Sequence, residues 1–154
     1  MKQLNVFCEG QTEQGFCAQV LQPHLFPSGG GVVHTLAVGK KDHHHIYGIG
    51  RSTKYERVRK FISNTIKQRE GKNVYFTTFL DLYGLPHAFP GKAANVRVAA
   101  DPTAYVLALE KAFESDIDHF RFIPYLQLHE YETILFADLE VPGQVLPLLA
   151  SSYP

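Results

Sequence analysis

The sequence predicts an α/β fold, with a central, mainly parallel four-stranded sheet and helices on both faces. Three observations predict it. Four short runs are apolar or β-branched enough to be strands, at 3–8, 32–38, 74–80 and 120–128. A helical pattern fills each gap between them, and strands that alternate with helices pair in parallel. The third observation is length. At 154 residues the chain is one domain, and a domain of that size buries about 68–70% of its unfolded surface in a single core.

Each element has its own justification. Residues 3–8 (Gln-Leu-Asn-Val-Phe-Cys) form the first strand. Residues 13–21 follow as a helix, with Thr12 as N-cap and Glu13 in the first turn. Phe16, Val20 and Leu21 make its apolar stripe, and Pro23 is expected to end it, because the residue before a proline avoids helical angles. Pro27 and Gly29-Gly30-Gly31 make a loop. Residues 32–38 (Val-Val-His-Thr-Leu-Ala-Val) read as a buried strand. Gly39 to Gly50 is a polar loop. The helix at 53–69 opens on Thr53 and Glu56 at capping-box spacing, and Tyr55, Val58, Ile62 and Ile66 recur at helical intervals up to Gly71.

The strongest strand is 74–80 (Val-Tyr-Phe-Thr-Thr-Phe-Leu), followed at once by Asp81. Leu82 to Ala100 is then a loop, long for a compact domain, and loops of that length are commonly functional. Asp101-Pro102 opens a helix, cap first and proline in the first turn, with Tyr105, Leu109, Ala112 and Phe113 on its buried face. Pro124 interrupts 120–128, which places that strand at an edge or breaks it there. A short helix to Phe136 is expected next. The α/β domain is taken as residues 1–140, and 141–154 as an irregular C-terminal segment.

Composition excludes several classes. With 45% hydrophobic residues the chain is globular, not disordered. The apolar runs are far shorter than the ~20 residues of a membrane helix, and the start of the chain has no signal pattern, so a soluble cytoplasmic protein with no membrane partner is expected. Cys8 and Cys17 have no metal-ligand spacing and read as small apolar core residues. The neutral total charge hides an asymmetry. Residues 40–72 hold ten Lys/Arg against three acids, a net +7, and 101–140 hold nine acids against two Lys/Arg, a net −7. That fits either a basic face toward a polyanion or a solvated basic helix packed near an acidic one.

The chemistry lies in the acids that follow the strands. Ligands of open parallel sheets bind beyond the carboxyl ends of the strands. Glu9, Asp81, and Glu130 with Glu132 all follow predicted strands, so neighbouring strands would gather them on one rim. Converging carboxylates repel unless a cation sits between them, and Mg²⁺ (or Mn²⁺) prefers such oxygen sites. Taken alone, each acid reads as a helix cap or a solvated side chain before it reads as catalytic; the joint pattern is what points to a metal or phosphate site.

Val6-Phe7-Cys8-Glu9-Gly10-Gln11-Thr12-Glu13 resembles the first motif of Toprim domains, the Rossmann-like domains of topoisomerases, primases and OLD-type nucleases. A fuller resemblance is to a small bacterial family of Toprim-like proteins. It runs through Pro23-His24-Leu25, Asp81-Leu82-Tyr83-Gly84-Leu85-Pro86, Phe89-Pro90-Gly91, Pro124-Tyr125 and His129-Glu130-Tyr131-Glu132 to Leu135-Phe136-Ala137-Asp138. The resemblance implies a Toprim-like fold and a Mg²⁺-dependent nuclease. In it Glu9 is a general base or metal ligand and Asp81 a metal ligand, and an ATPase of the ABC or AAA type in a defence or mobile-element locus is a partner. The Toprim pattern has Asp-x-Asp where this chain has Asp81-Leu82-Tyr83. A metal site would therefore recruit Glu130 or Glu132. The resemblance implies that relatives run on past the equivalent of residue 154, so a short or truncated member is expected.

Other polar residues offer subsidiary contacts. His129 is either an acid or phosphate contact or a satisfied structural histidine. Lys92 and Arg97, in the loop after Asp81, are either phosphate contacts or solvated. Lys40, Lys41 and Arg51 could line a nucleic-acid-facing edge beside His43-His44-His45. Three consecutive histidines do not converge on one tetrahedral ion, so a native zinc site is not expected there. No glycine-rich phosphate loop is present, which counts against a nucleotide-handling enzyme. Two functions remain: a metal-dependent phosphodiester-cleaving enzyme, or a degenerate non-catalytic module that binds a partner ATPase or nucleic acid.

Overall fold

A computed structural model of the chain describes residues 1–38, 54–94, 101–129 and 133–134, together with the backbone of 40–41 and 46–47. Strand β1 (Lys2–Cys8) is followed by helix α1 (Gln11–Phe16), a π-helical turn (Cys17–Leu21) and helix α2 (Gln22–Leu25). Strand β2 (Gly31–Ala37) comes next, then a small antiparallel hairpin of β3 (Lys40–Lys41) and β4 (Ile46–Tyr47). Helix α3 (Tyr55–Arg69), strand β5 (Val74–Asp81), helix α4 (Pro102–Ile117) and two short strands, β6 (Phe122–Ile123) and β7 (Leu126–Gln127), complete the order.

The main sheet runs β2-β1-β5-β6, with β7 also on β5, and every pairing in it is parallel. This is the α/β, Rossmann-like architecture that the alternation of elements predicts. β1 lies between β2 and β5, so the first two crossovers leave it in opposite directions and the helices fall on both faces. Side chains alternate accordingly. Phe7, Phe76 and Leu80 join the α3–α4 side with Ile62, Leu109 and Phe113, whereas Val6, Cys8 and Phe79 join Cys17 on the α1 side. The α3–α4 side holds most of the core, including the ring contacts of Phe113 with Tyr55, Phe89 and Phe122.

Several expectations hold in detail. Tyr55, Val58, Ile62 and Ile66 are all buried on α3. Asp101 caps α4, its Oδ1 accepting from the amides of Thr103 and Ala104 at 3.0 and 3.1 Å. Pro124 divides the last strand into β6 and β7, at the edge of the sheet.

Other expectations are corrected. The cap of α1 is Gly10, not Thr12, which lies inside the first turn. Pro23 does not end the first helical segment. Gln22 keeps helical angles, φ −58° and ψ −54°, and the chain stays helical to Leu25. The reason is the π-helical turn. Its bond from the Gln22 amide reaches back to the Cys17 carbonyl, and Pro23 then falls in the opening turn of α2, where a missing N–H costs little. β2 is an edge strand and mostly half-buried rather than buried. The N-cap of α3 is Lys54, with no side-chain capping bond, and Thr53 lies outside the described residues. On α4, Val106 is buried and Tyr105 only packs partly against the core. The expected polar loop at 39–50 contains the β3–β4 hairpin, while His43-His44-His45 lie outside the described residues. Of the short helix expected before Phe136 only Thr133 and Ile134 are described, in a 3-10 conformation, and the segment 141–154 lies outside the described residues.

Phe113 is fully buried amid three aromatic rings. Phe113→Ala is expected to cost about 3–5 kcal/mol in urea unfolding, the range for removing an aromatic ring from a packed core.

Candidate functional site

Glu9 and Asp81 meet at the carboxyl rim because of strand register. Cys8 pairs with Phe79 across β1 and β5. Glu9 therefore falls level with Leu80, one residue short of Asp81. The backbone amide of Asp81 donates to Glu9 Oε2 over a long 3.4 Å. Both side chains are half-buried, and Asp81 Oδ1 is shielded from solvent. β1 is the strand at which the order of the sheet reverses, so this pair occupies the switch-point position at which doubly wound sheets bind ligands.

Glu13 has a different task. Its Oε2 accepts the Gly10 amide at 2.8 Å, and the residue is 9% exposed. This half of a capping box binds the Glu9–Gly10 turn to α1 and places a carboxylate at the helix N-terminus. Behind the turn, the Cys8 and Cys17 sulfurs lie 3.9 Å apart, both as thiols. The hydrogen bond between them lowers the Cys17 pKa, and that same bond together with burial raises that of Cys8.

Four residues to which the sequence assigns no role, Gln127, Tyr125, Thr78 and Glu110, lie on the other side of Asp81. Gln127 is the strand partner of Asp81 and is buried. Its Oε1 accepts from the Tyr125 hydroxyl at 2.6 Å. Burial, then the charges of Glu110 and Asp81, raise the Tyr125 pKa. Thr78 fixes Tyr125 from below, its hydroxyl donating to the Tyr125 carbonyl at 2.8 Å and accepting its amide at 2.9 Å. Glu110 accepts the Leu126 amide at 2.8 Å, and burial raises its pKa. The available signal was Pro124. A strand broken there resumes at Leu126, which sets the next side chain beside Asp81.

The remaining candidates are dispersed. His129 is exposed, just beyond β7, so it is not a core histidine. Lys92 turns its ammonium back to the Leu85 carbonyl at 2.9 Å. Lys40 and Lys41 lie on β3, described by backbone alone, and Arg51, Arg97, Glu130 and Glu132 lie outside the described residues. Among the described residues no group of three or more His, Cys, Asp and Glu side chains is arranged to hold a metal ion. Part of the basic charge is engaged with the acidic helix: Arg59 on α3 pairs with Asp116 on α4 at 2.8 Å. An ion pair this exposed contributes little stability, but it shows the basic helix packed beside the acidic one. No helix among the described residues is long and apolar enough to cross a membrane.

A cleft of about 280 Å³ runs between α4 and β7 past Glu110, Tyr125 and Gln127. A larger one, about 440 Å³, lies against Met1, Lys2, Phe26 and Asn73, at the opposite end of the sheet from the acids. Neither cleft is lined by Glu9 or Asp81, and the candidate site is placed at the rim because both acids are there.

The fold is a Rossmann-like α/β domain, with Glu9 and Asp81 on adjacent strand ends at its switch point. The chain belongs to the family described as a domain of unknown function, DUF4276, which matches residues 8–149 and so takes in both acids. No curated protein and no solved structure matches it.

Glu13→Ala removes the acceptor of the Gly10 amide. It is expected to cost about 1–2 kcal/mol in chemical denaturation, whereas Glu13→Gln, which keeps an acceptor oxygen, should lose less.

Proposed function

We infer that this DUF4276 chain is a metal-dependent phosphodiester-cleaving domain of the Toprim type, a nuclease. The observation that carries the reading is the Glu9 carboxylate lying against the Asp81 amide, 3.4 Å away, at the carboxyl ends of adjacent strands. The motif around Glu9 and its resemblance to Toprim domains support the same assignment. The donor set fits a hard divalent cation. Mg²⁺ commonly takes one or two carboxylates and completes its shell with water and substrate phosphate, and Mn²⁺ accepts the same oxygens.

Asp81 and Glu9 would hold the ion, with Glu130 or Glu132 as a third acid. When bound, it would neutralise a phosphodiester and stabilise charge that builds on the phosphoryl oxygens. The protein's own contribution is positional. Parallel pairing fixes the heights of both acids, and Glu13 holds the turn that follows Glu9. Glu9, if not directly bound to the ion, is placed to take the proton of an attacking water. Nucleic acid is the substrate class of this reading, and an ABC- or AAA-type ATPase is its partner.

Tyr83 favours a second reading. It stands where Toprim domains carry a second acid, and it is 52% exposed. A module that binds nucleic acid or a partner ATPase without turnover would tolerate that replacement.

The test is cleavage of plasmid DNA and of RNA with Mg²⁺ or Mn²⁺, and with chelator. Glu9→Gln and Asp81→Asn are each expected to lower the rate by about 100-fold or more. Variants that cut as fast as the parent would remove these residues from the mechanism. Binding without cleavage at every metal concentration would favour the second reading.

A further inference from the structure

Cys8 and Cys17 belong to different elements, the end of β1 and the start of the π-helical turn. Both are fully buried, and the proposed reaction uses neither. A buried thiol is ordinarily an inert small apolar residue. Two that face each other at 3.9 Å form a different object. A disulfide requires sulfurs about 2.05 Å apart, so closure needs an approach of about 1.9 Å.

The surrounding structure says which partner can move. β1 is hydrogen-bonded on both edges through Cys8. Cys17 lies in a helical segment of six α, five π and four α residues in succession. The run is continuous but distorted, by the π-helical turn and by Pro23, which has no N–H to donate, and such a segment opens locally more readily than a regular helix. The cover is also thin, since Ala18, Gln19 and Val20, directly after Cys17, are all exposed.

We propose that Cys8 and Cys17 are a reversible dithiol–disulfide couple, closed by a peroxide and reopened by a dithiol. The Cys17 sulfur attacks one peroxide oxygen and breaks the O–O bond. Hydroxide leaves, takes the thiol proton and becomes water, and Cys17 is left as a sulfenic acid. The Cys8 sulfur then attacks the Cys17 sulfur. The S–S bond forms, the S–O bond breaks, and the departing hydroxide takes the Cys8 proton as a second water. Two thiols lose two electrons in total and one peroxide gains them. Reopening is thiol–disulfide exchange with the dithiol, which is oxidised in turn.

Closure draws the π-helical turn toward β1, and the same segment carries Glu13, which holds the Gly10 amide beside Glu9. The couple therefore adjusts the turn that carries Glu9. Its bearing on activity rests on the reading of the rim as a catalytic site, whereas the bond itself does not.

The experiment uses the full chain, reduced with dithiothreitol, desalted and exposed to hydrogen peroxide. Thiols are then alkylated in denaturant and the protein is weighed and mapped by mass spectrometry. The expected product is a chain lighter by two hydrogens, with one Cys8–Cys17 linked peptide and no alkylated cysteine. Dithiothreitol restores both thiols. Hydrogen exchange over residues 9–17 is expected to slow in the oxidised form. Cys17→Ser, or Cys17→Ala should the first fail to fold, is expected to give no internal link. Both cysteines still alkylated after peroxide, or links only between chains, would overturn the proposal. A chain that forms the link yet cleaves nothing in either redox state would keep the couple and sink the catalytic reading instead.

Discussion

The rim depends on the double pairing of β1. That strand is hydrogen-bonded to β2 from Lys2 to Cys8 and to β5 from Gln3 to Cys8. Parallel strands with fixed register must finish at related heights. This brings the Glu9 carboxylate to the backbone amide of Asp81, 72 positions away in sequence. A slip of one residue between β1 and β5 would put Phe7 and Phe76 on opposite faces of the sheet, so the packing of the core and the placing of the acids are the same constraint. The core enforces it strongly: Phe7, Phe76 and Leu80 are all fully or almost fully buried.

The two faces of the sheet are built to different standards. On one side α3 and α4 are long helices, locked to each other by the Tyr55 hydroxyl donating to Asp116 Oδ2 at 2.5 Å and by Arg59 on the same carboxylate. Burial of the ring, then that hydrogen bond and the carboxylate's charge, push the Tyr55 pKa well up and keep the phenol a donor. On the other side a broken helical segment covers a smaller cluster of Val6, Cys8, Cys17 and Phe79, with Phe16 and Leu21 at its margin. Fewer buried residues and a π-helical distortion give this face the thinner cover.

Much of this was legible in the sequence, because the signals were long and periodic. The spacing of Tyr55, Val58, Ile62 and Ile66 located α3, and Asp101-Pro102 located α4. Pro124 marked a broken edge strand through its missing N–H. What was not legible depended on tertiary partners. Thr12 has the right chemistry for a cap, but the tight turn after Glu9 brings Gly10 to that position and Glu13 back onto its amide. Local rules for Pro23 could not anticipate a π-helical turn that takes up the ring. The strand at 32–38 is apolar enough for the centre of a sheet, and its edge position follows only from the order of pairing. Gln127 carries no motif, Tyr125 belongs to the resemblance without a role in it, and the place of both became visible only when β7 was set against β5. The two cysteines had no spacing to distinguish them, since their proximity spans a strand and a helix.

These differences bear on how the acidic pair is held. Asp81 ends a strand and runs into a 3-10 turn (Leu82–Gly84) whose neighbours Leu82, Leu85 and Phe89 are buried in the larger core. Lys92 closes that loop on the Leu85 carbonyl, and Gln127 stands beside Asp81 in the sheet. Asp81 is thus anchored from the α3–α4 side and from the sheet itself. Glu9 begins from an equally rigid strand, but the chain beyond it is secured by the Gly10–Glu13 hydrogen bond and a short helical segment. Of the two carboxylates, Glu9 has the more adjustable support. The packing of that one short segment therefore bears on the placing of Glu9 more than any single contact bears on that of Asp81.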